Sequence, residues 1–123
     1  MKATDNIPIY TLICEYTGEV GHLRKNLFDV TNDSIFDLLK APSSSQSLVV
    51  YPGNRSNIAR FISGINNTDP KSKKKINLLS SRYDIDGKIH ILLYASRNIK
   101  KNETLYYDYN AGGYNAYPTQ YFI

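Results

Sequence analysis

Hydrophobic residues recur along this chain in short runs that turn-forming residues separate. The clearest pattern is an apolar-rich run that ends at Ile85 and a second run from Ile89 to Ala95. Asp86-Gly87 between them is typical of a β-hairpin turn. Other runs have the alternation and β-branched or aromatic composition of strands. These further predicted strands are residues 9–15, 48–51 and 105–109.

Three other segments lack a strand pattern. Between His22 and Ala41 the apolar spacing is closer to helical, which predicts a short helix that Asn32 or Asp33 caps and Pro42 ends. Residues 57–62 are long enough for only one helical turn, and the polar, basic residues 66–75 predict a surface loop. The whole pattern predicts a mostly β domain with small helical insertions.

Length and composition limit the class of protein. The 123 residues, 41% hydrophobic and 21% charged, fit one globular domain with a buried core. No apolar run approaches the roughly 18 residues of a membrane helix, so we expect no membrane partner. The first residues lack a basic stretch followed by an apolar one, so no signal peptide is expected and the protein is predicted to be intracellular.

Cysteine and histidine are too scarce to predict a metal site. The single cysteine, Cys14, lies in an apolar run and forms neither an internal disulfide nor a cysteine-based zinc site. We interpret it as a small buried hydrophobic residue. Only two histidines, His22 and His90, are available as further ligands, so we expect no metal.

The charge of the chain, formally +4, is distributed unevenly. Acidic residues are concentrated early in the sequence and lysines late, which indicates one face for a cationic peptide and another for phosphates. The main lysine run, residues 71–75, is a candidate DNA contact. A solvated lysine loop explains the same run equally well.

Tyrosines are the most unusual feature of the composition, with eleven of them and no tryptophan. On a strand, Tyr107 and Tyr109 point to one face and Tyr106 to the other, so two phenol groups are available to line a narrow channel. Aromatic packing across strands is the alternative, and the pattern alone favours it. No Ser-His-Asp or Cys-His arrangement and no glycine-rich phosphate loop is visible.

Three segments, in this order, resemble motifs of the SET-domain methyltransferase family. Residues 13–20 (ICEYTGEV) resemble E-Y-x-G-E, residues 57–62 (NIARFI) resemble the start of R-F-I-N-H, and residues 95–109 (ASRNIKKNETLYYDY) resemble A-x-R-x-I-x-x-G-E-x-L-x-Y-D-Y. Ser63-Gly64-Ile65-Asn66-Asn67 and the ending Tyr117-Pro118-Thr119-Gln120-Tyr121-Phe122 are similar to trithorax-related monomethyltransferases of histone H3 lysine 27, best known from plants.

The resemblance implies a SET-domain fold over residues 1–123, with short strands in small sheets, brief helical insertions and a C-terminal pseudoknot. The family's N-terminal G-x-G motif is expected just before Met1, and residues 110–123 replace a cysteine-rich post-SET segment. Asn102 occupies the place of the family's glycine before Glu103. Asparagine tolerates a positive φ, so we expect this turn to be kept.

The resemblance also implies S-adenosylmethionine as the cofactor and histone H3, in its tail or in the nucleosome, as the partner of a nuclear enzyme. Tyr109 is the implied catalytic residue, and Tyr16 and Tyr107 are implied to line the lysine channel. The implied cofactor-binding residues are Arg60, Phe61, Ser63, Gly64, Asn66 and Tyr109. A SET enzyme with another lysine target, or a catalytically silent SET-like module that binds peptide or nucleic acid, are the alternatives.

Overall fold

The computed structural model describes residues 1–22, 36–39, 48–51, 57–110 and 119. Short strands dominate these ranges, as the sequence predicts. The strands are β1 Leu12–Glu15, β2 Glu19–His22, β3 Phe36–Leu39, β4 Leu48–Tyr51, β5 Ser63–Gly64, β6 Leu78–Ile85, β7 Lys88–Ala95 and β8 Tyr106–Tyr107. The helices are a single turn of 3-10 helix, Ile58–Phe61, and a single turn of α-helix, α1, Pro70–Lys73.

The strands form three small sheets with the orders β1-β7-β6, β2-β4-β3 and β5-β8. The chain divides into two compact units. The first unit comprises Met1–Cys14, Phe61–Ser81 and Leu92–Ile123, and the second comprises Glu15–Arg60 and Arg82–Ile91. The predicted class, mostly β in small sheets with brief helical insertions, is confirmed.

The hairpin predicted from the sequence is present as β6 and β7. Asp86 and Gly87 connect the strands with φ of 53° and 78°. A two-residue turn of this kind needs a positive φ at both positions, because only then does its twist match that of the strands. The Asp-Gly pair therefore determines where the hairpin folds back.

Two of the predicted strands are shorter than their apolar runs. The first begins at Leu12 rather than Ile9, since Tyr10 has a φ of 69° and the Thr11 hydroxyl donates to the Pro8 carbonyl at 2.7 Å. The last strand contains only Tyr106–Tyr107. In both cases a local turn interrupts the extended backbone.

Two other predictions are corrected by the structure. The helical interpretation of residues 22–41 is wrong over Phe36–Leu39, which form β3 and pair antiparallel with β4; strand pairing prevails over the local apolar spacing. The predicted caps Asn32 and Asp33 and the terminator Pro42 lie outside the described residues. Residues 66–75 are not only a loop, because they contain α1, which Asp69 caps by accepting from the Lys71 amide at 2.9 Å.

The core of the first unit consists of aliphatic side chains that expose at most 1% of their surface: Ile62, Ile65, Leu78, Leu93 and Ile99. The N-terminal segment pairs with the third motif, since the Ala3 amide donates to the Glu103 carbonyl at 2.9 Å and the Asn102 amide donates to the Ala3 carbonyl at 2.8 Å. Asn102 has a φ of 72°, which is the positive φ that the sequence led us to expect at this turn.

Cys14 is half-buried in β1, and burial raises the pKa of its thiol. The thiol is therefore protonated at neutral pH, when it is a poor nucleophile. This agrees with a packing role. Within the ranges that the structure describes, no helix has the length and apolar character needed to cross a membrane.

Candidate active site

The strand that directly follows the second motif lies beside the third motif, although the paired residues are more than forty positions apart in the sequence. β5 pairs parallel with β8, with Ser63 opposite Tyr106 and Gly64 opposite Tyr107. The Ile65 amide extends the pairing by donating to the Tyr107 carbonyl at 3.2 Å. This adjacency is the one that the expected pseudoknot requires, and it brings the predicted cofactor segment next to the predicted catalytic strand.

Tyr109 is fixed to the second motif by its hydroxyl group. The hydroxyl donates to the carbonyl oxygen of Ile62 at 2.5 Å, and Ile62 itself exposes only 1% of its surface. The hydroxyl of the predicted catalytic residue therefore lies beside the residue that precedes β5. A tyrosine hydroxyl that donates its proton also has lone pairs that can accept, so it can orient a polar partner.

Tyr107 and Tyr109 pack against each other as the alternation of the strand predicts. Their ring centroids lie 4.8 Å apart and the rings are tilted by 51°, which is a favourable aromatic geometry. Tyr107 is buried, with 4% of its surface exposed. Tyr106 has a different neighbour, the ammonium group of Lys75, at 5.7 Å from the ring centroid. The phenol groups of Tyr107 and Tyr109 therefore lie in contact. This contact is between residues of one continuous segment and does not join two strands.

A network of polar side chains holds the segment around Tyr109. The Asp108 carboxylate accepts from the Asn67 side-chain amide at 2.7 Å and from the Asn110 backbone amide at 2.8 Å. The Asn67 carbonyl oxygen accepts from the Asn110 side chain at 3.1 Å and from the Thr119 hydroxyl at 2.8 Å. Asn110 and Thr119 are buried. The network ties β8 to the chain that follows β5.

Sequence reasoning assigned no role to this network. The run of two asparagines, Asn66-Asn67, stood out only because it departs from the usual family motif. Nothing in the spacing connects Asn67 with Asp108, which lies 41 positions later. Polar residues of this kind are usually exposed, and only the fold reveals that their hydrogen bonds are partly buried.

We expect Asn67→Ala to lower the free energy of unfolding by about 1–3 kcal/mol, because the side chains of Asn110 and Thr119, both buried, lose the acceptor that the Asn67 side chain provides. The exposed Asn6 is a matched control, since its side chain accepts a single bond from the Lys101 amide at 2.9 Å. Urea unfolding of both alanine variants measures the difference. Equal losses of unfolding free energy in the two variants would show that the network stabilises the fold no more than one exposed hydrogen bond does.

In the predicted cofactor segment the ring of Phe61 is exposed, whereas the residues that follow it are buried or half-buried. Phe61 exposes 67% of its surface, whereas Ile62 beside it exposes 1%. Gly64 is buried and Ser63 is half-buried. An exposed phenylalanine next to a fixed backbone offers an apolar face for a purine ring. The two tilted tyrosine rings offer electron-rich faces for a cation such as a sulfonium, so the residues present fit S-adenosylmethionine.

Asn66 organises the turn that follows β5. Its side-chain oxygen accepts from the Thr68 amide at 2.9 Å and from the Thr68 hydroxyl at 2.7 Å. Its own backbone amide donates to the Ser72 hydroxyl oxygen at 2.8 Å. These contacts give Asn66 a structural function, and its predicted contact with a cofactor stays a prediction.

Two of the predicted site residues, Tyr16 and Arg60, belong to the second unit. Tyr16 exposes 5% of its surface, and its amide donates to the Ile91 carbonyl at 2.8 Å. Inside this unit Asn57 joins the first motif to the second. Its side chain donates to the Glu15 carbonyl at 2.7 Å and accepts from the Ala59 amide at 3.1 Å. The assignments of Tyr16 to the lysine channel and of Arg60 to the cofactor stay predictions.

Glu15 and His90 form an ion pair or hydrogen bond between β1 and β7, according to the protonation of the imidazole. His90 is thereby engaged with a single carboxylate. In the part of the chain that the structure describes, no group of three histidine, cysteine, aspartate or glutamate side chains is placed to hold a metal ion.

The chain is similar to proteins of established class. The family model "SET domain" matches residues 1–110. Histone-lysine N-methyltransferase ATXR6 of Arabidopsis thaliana is 50% identical over the whole chain, which covers 35% of that protein. Probable histone-lysine N-methyltransferase ATXR5 of Ricinus communis is 47% identical over the whole chain, which covers 32% of that relative. The chain thus spans about a third of the length of these curated relatives.

The fold also agrees with a solved structure. A crystal structure of ATXR5 in complex with histone H3.1 mono-methylated on an arginine superimposes with a TM-score of 0.90 at 48% sequence identity. The match covers 99% of this chain and 56% of that chain. The order and pairing of the strands described above are therefore those of a known three-dimensional arrangement.

Proposed function

We propose, from the premise that this chain belongs to the SET-domain family, that it is the catalytic domain of a histone-lysine N-methyltransferase. The proposal includes S-adenosylmethionine as the methyl donor and histone H3 as the substrate. Its relatives are named histone-lysine N-methyltransferases, and a similar structure is a complex with histone H3.1. Because histones are chromatin proteins, the proposed place of action is the nucleus.

The observation that carries the proposal is the contact between Tyr109 and the second motif. The hydroxyl of Tyr109 donates to Ile62, directly before the β5 segment that pairs with β8. A tyrosine hydroxyl is thus held in a fixed direction where the cofactor segment and the catalytic strand meet. Preorganised dipoles of this kind lower reaction barriers, because they do not have to reorient during the reaction.

The cofactor supplies an electrophilic methyl group on a positively charged sulfur. The residues of this chain that we propose to bind it are Phe61, with its exposed ring, and the backbone of Ser63 and Gly64. Tyr109 and Tyr107 contribute the aromatic faces that suit a sulfonium. Arg60 and Asn66 complete the proposed set from the family resemblance.

For methyl transfer, the chain has to bind the substrate lysine with its amine in the neutral, nucleophilic form. A lysine ammonium has an ordinary pKa near 10.4, so roughly 1% or less is neutral at pH 8. The buried Tyr107 provides a low-dielectric wall, which disfavours the ammonium and lowers that pKa. Tyrosine hydroxyls then orient the neutral amine, and holding the two reactants in line supplies much of the acceleration.

The proposed position and product are lysine 27 of histone H3 and its monomethyl form. We base both on the resemblance of Ser63-Gly64-Ile65-Asn66-Asn67 to the trithorax-related monomethyltransferases and on the tyrosine at position 107. We also propose that residues 110–123 serve in place of a zinc-binding post-SET segment. Thr119 supports this, because it is buried and bonds with Asn67.

A panel of histone substrates tests the proposed class of reaction. The protein is incubated with S-adenosylmethionine labelled in its methyl group and with H3 peptides, H4 peptides or nucleosomes. We expect label on H3, both as peptide and in nucleosomes, and none on H4. Label on H4 alone would assign another target, and cofactor binding without any transfer would indicate a silent SET-like module.

A further inference from the structure

The proposed methyl transfer leaves the lysine run at residues 71–75 without a function. We call Lys71, Lys73, Lys74 and Lys75 the basic segment. The side chains of Lys71, Lys73 and Lys74 are exposed and that of Lys75 is half-buried. The nearest preceding acid, Asp69, uses a carboxylate oxygen to cap α1. The segment therefore presents a local excess of positive charge to solvent.

Two buried polar residues attach the basic segment to the turn that follows β5 and to the residues at the start of β8. Ser72 exposes 1% of its surface, and its hydroxyl oxygen accepts from the Asn66 amide at 2.8 Å. Asn77, equally buried, donates to the Thr104 carbonyl at 2.9 Å and accepts from the Tyr106 amide at 2.8 Å. The lysines thus project from a segment that hydrogen bonds hold at both ends, in contrast to a freely solvated loop.

Lys75 adds a further contact with β8. Its ammonium group lies 5.7 Å from the centroid of the Tyr106 ring, within the range of a cation–π contact. Tyr106 immediately precedes Tyr107 in β8. The basic segment is therefore bound directly to the strand that leads to the candidate site, and a ligand on its three exposed lysines is held at a defined place relative to that strand.

The sign of the charge selects the partner. A histone tail is itself rich in lysine and arginine, so the basic segment repels it and is unsuited to bind the peptide substrate. Clustered ammonium groups match the closely spaced phosphates of duplex DNA, where displacement of counterions favours binding. A nucleosome offers such phosphates beside the histone tails.

We propose that the basic segment is a DNA-docking surface. Its exposed lysines bind the backbone phosphates of nucleosomal DNA while the H3 tail of the same nucleosome enters the site at Tyr109. The contact is independent of base sequence, because an ammonium group on a flexible stem reads charge rather than base edges. This inference rests on the proposed function, since it names a second contact with the same substrate.

Binding to labelled duplex DNA tests the surface directly. The test variant carries Lys71→Gln, Lys73→Gln and Lys74→Gln and leaves Lys75 in contact with Tyr106. The matched control carries Lys2→Gln, Lys100→Gln and Lys101→Gln, which removes the same charge from three other exposed positions. We expect fluorescence anisotropy to show about ten-fold weaker binding for the test variant. Its slope of log affinity against log salt should be smaller by about 0.9 for each lysine that contacts a phosphate.

Methyl-transfer assays on peptide and on nucleosomes distinguish a failure of the DNA-docking proposal from a failure of the proposed function. We expect the test variant to methylate an H3 peptide with wild-type kcat/KM and nucleosomes with a kcat/KM about ten-fold lower. The control variant should match the wild type on both. A wild type inactive on peptide and nucleosome would overturn the proposed function, whatever the DNA measurement gives.

Three results would overturn the docking surface itself. The first is equal DNA binding by the wild type and the test variant. The second is an equal loss in the control variant, which would show that only total charge matters. The third is a loss on nucleosomes without a loss on free duplex, which would assign the lysines to an acidic protein surface of the nucleosome.

Discussion

Tyr109→Phe should lose methyl transfer by a factor of about 30 to 1,000 while the protein stays folded. The substitution keeps the ring that packs on Tyr107 at 4.8 Å and removes only the hydroxyl that donates to Ile62. Loss of one preorganised polar group at a reacting centre costs about 2–4 kcal/mol in barrier height, and each 1.36 kcal/mol is a factor of ten. The Ile62 carbonyl, in a buried residue, loses this donor, which lowers the free energy of unfolding by about 1–3 kcal/mol.

Tyr94→Phe is the matched control for this prediction. Tyr94 is half-buried in β7, and its hydroxyl bonds with Ser81 at 3.3 Å. Single-turnover rates on an H3 peptide and thermal unfolding are measured for both variants. The control should transfer methyl groups at the wild-type rate. Near-wild-type turnover by Tyr109→Phe, or an equal loss in the control, would remove Tyr109 from the mechanism.

Tyr107→Phe should change the product from monomethyl-lysine to dimethyl-lysine. In the SET family a tyrosine two positions before the catalytic tyrosine accompanies monomethylation, and a phenylalanine accompanies higher methylation. Tyr107 is buried. We propose that its hydroxyl holds the amine directly or through a water molecule, which would occupy the volume that a methylated nitrogen needs in order to turn. Displacing a well-bonded water costs free energy, so the second transfer is slow in the wild type.

Mass spectrometry of the peptide after long incubation measures this change. Tyr106→Phe is the control, because Tyr106 is adjacent in sequence but contacts Lys75. We expect monomethyl-lysine from the wild type and the control, and accumulation of dimethyl-lysine from Tyr107→Phe. Abundant trimethyl-lysine from the wild type, or a Tyr107→Phe variant that still stops at one methyl group, would contradict the assignment.

The parts of the fold that the sequence predicts well are those with a strong local cause. The β6–β7 hairpin follows from Asp86-Gly87, because few other residue pairs adopt two positive φ angles. The conformation of Asn102 is likewise predictable, since its φ of 72° is one that asparagine tolerates. The short strand Leu48–Tyr51 was predicted with its correct ends.

The parts that the sequence does not predict depend on distant partners. Phe36–Leu39 has helix-like spacing but becomes a strand, because β4 offers it hydrogen bonds. α1 did have a local signal, Asp69 followed by Pro70, which the many lysines around it obscured.

In the candidate site, too, the sequence predicts the features with a local cause and not those that depend on distant residues. The alternation within residues 106–109 predicts that Tyr107 and Tyr109 lie together, and the structure confirms it. That Tyr109 donates to Ile62, and that Asn67 bonds with Asp108, follows only from the parallel pairing of β5 with β8. Parallel neighbours far apart in sequence leave no periodic pattern, so their contacts require the fold or a family motif.

The mass of histone H3 tail peptides after incubation with the protein and S-adenosylmethionine tests the proposed methyl transfer directly. One peptide has lysine at position 27 of the histone and the other has arginine there. We expect a single added methyl group on the lysine peptide, located at that lysine by fragmentation, and no methyl group on the arginine peptide. Equal methylation of the two peptides would contradict the proposed position, and no methylation of either peptide or of nucleosomes would contradict the assignment of this chain as a histone-lysine methyltransferase.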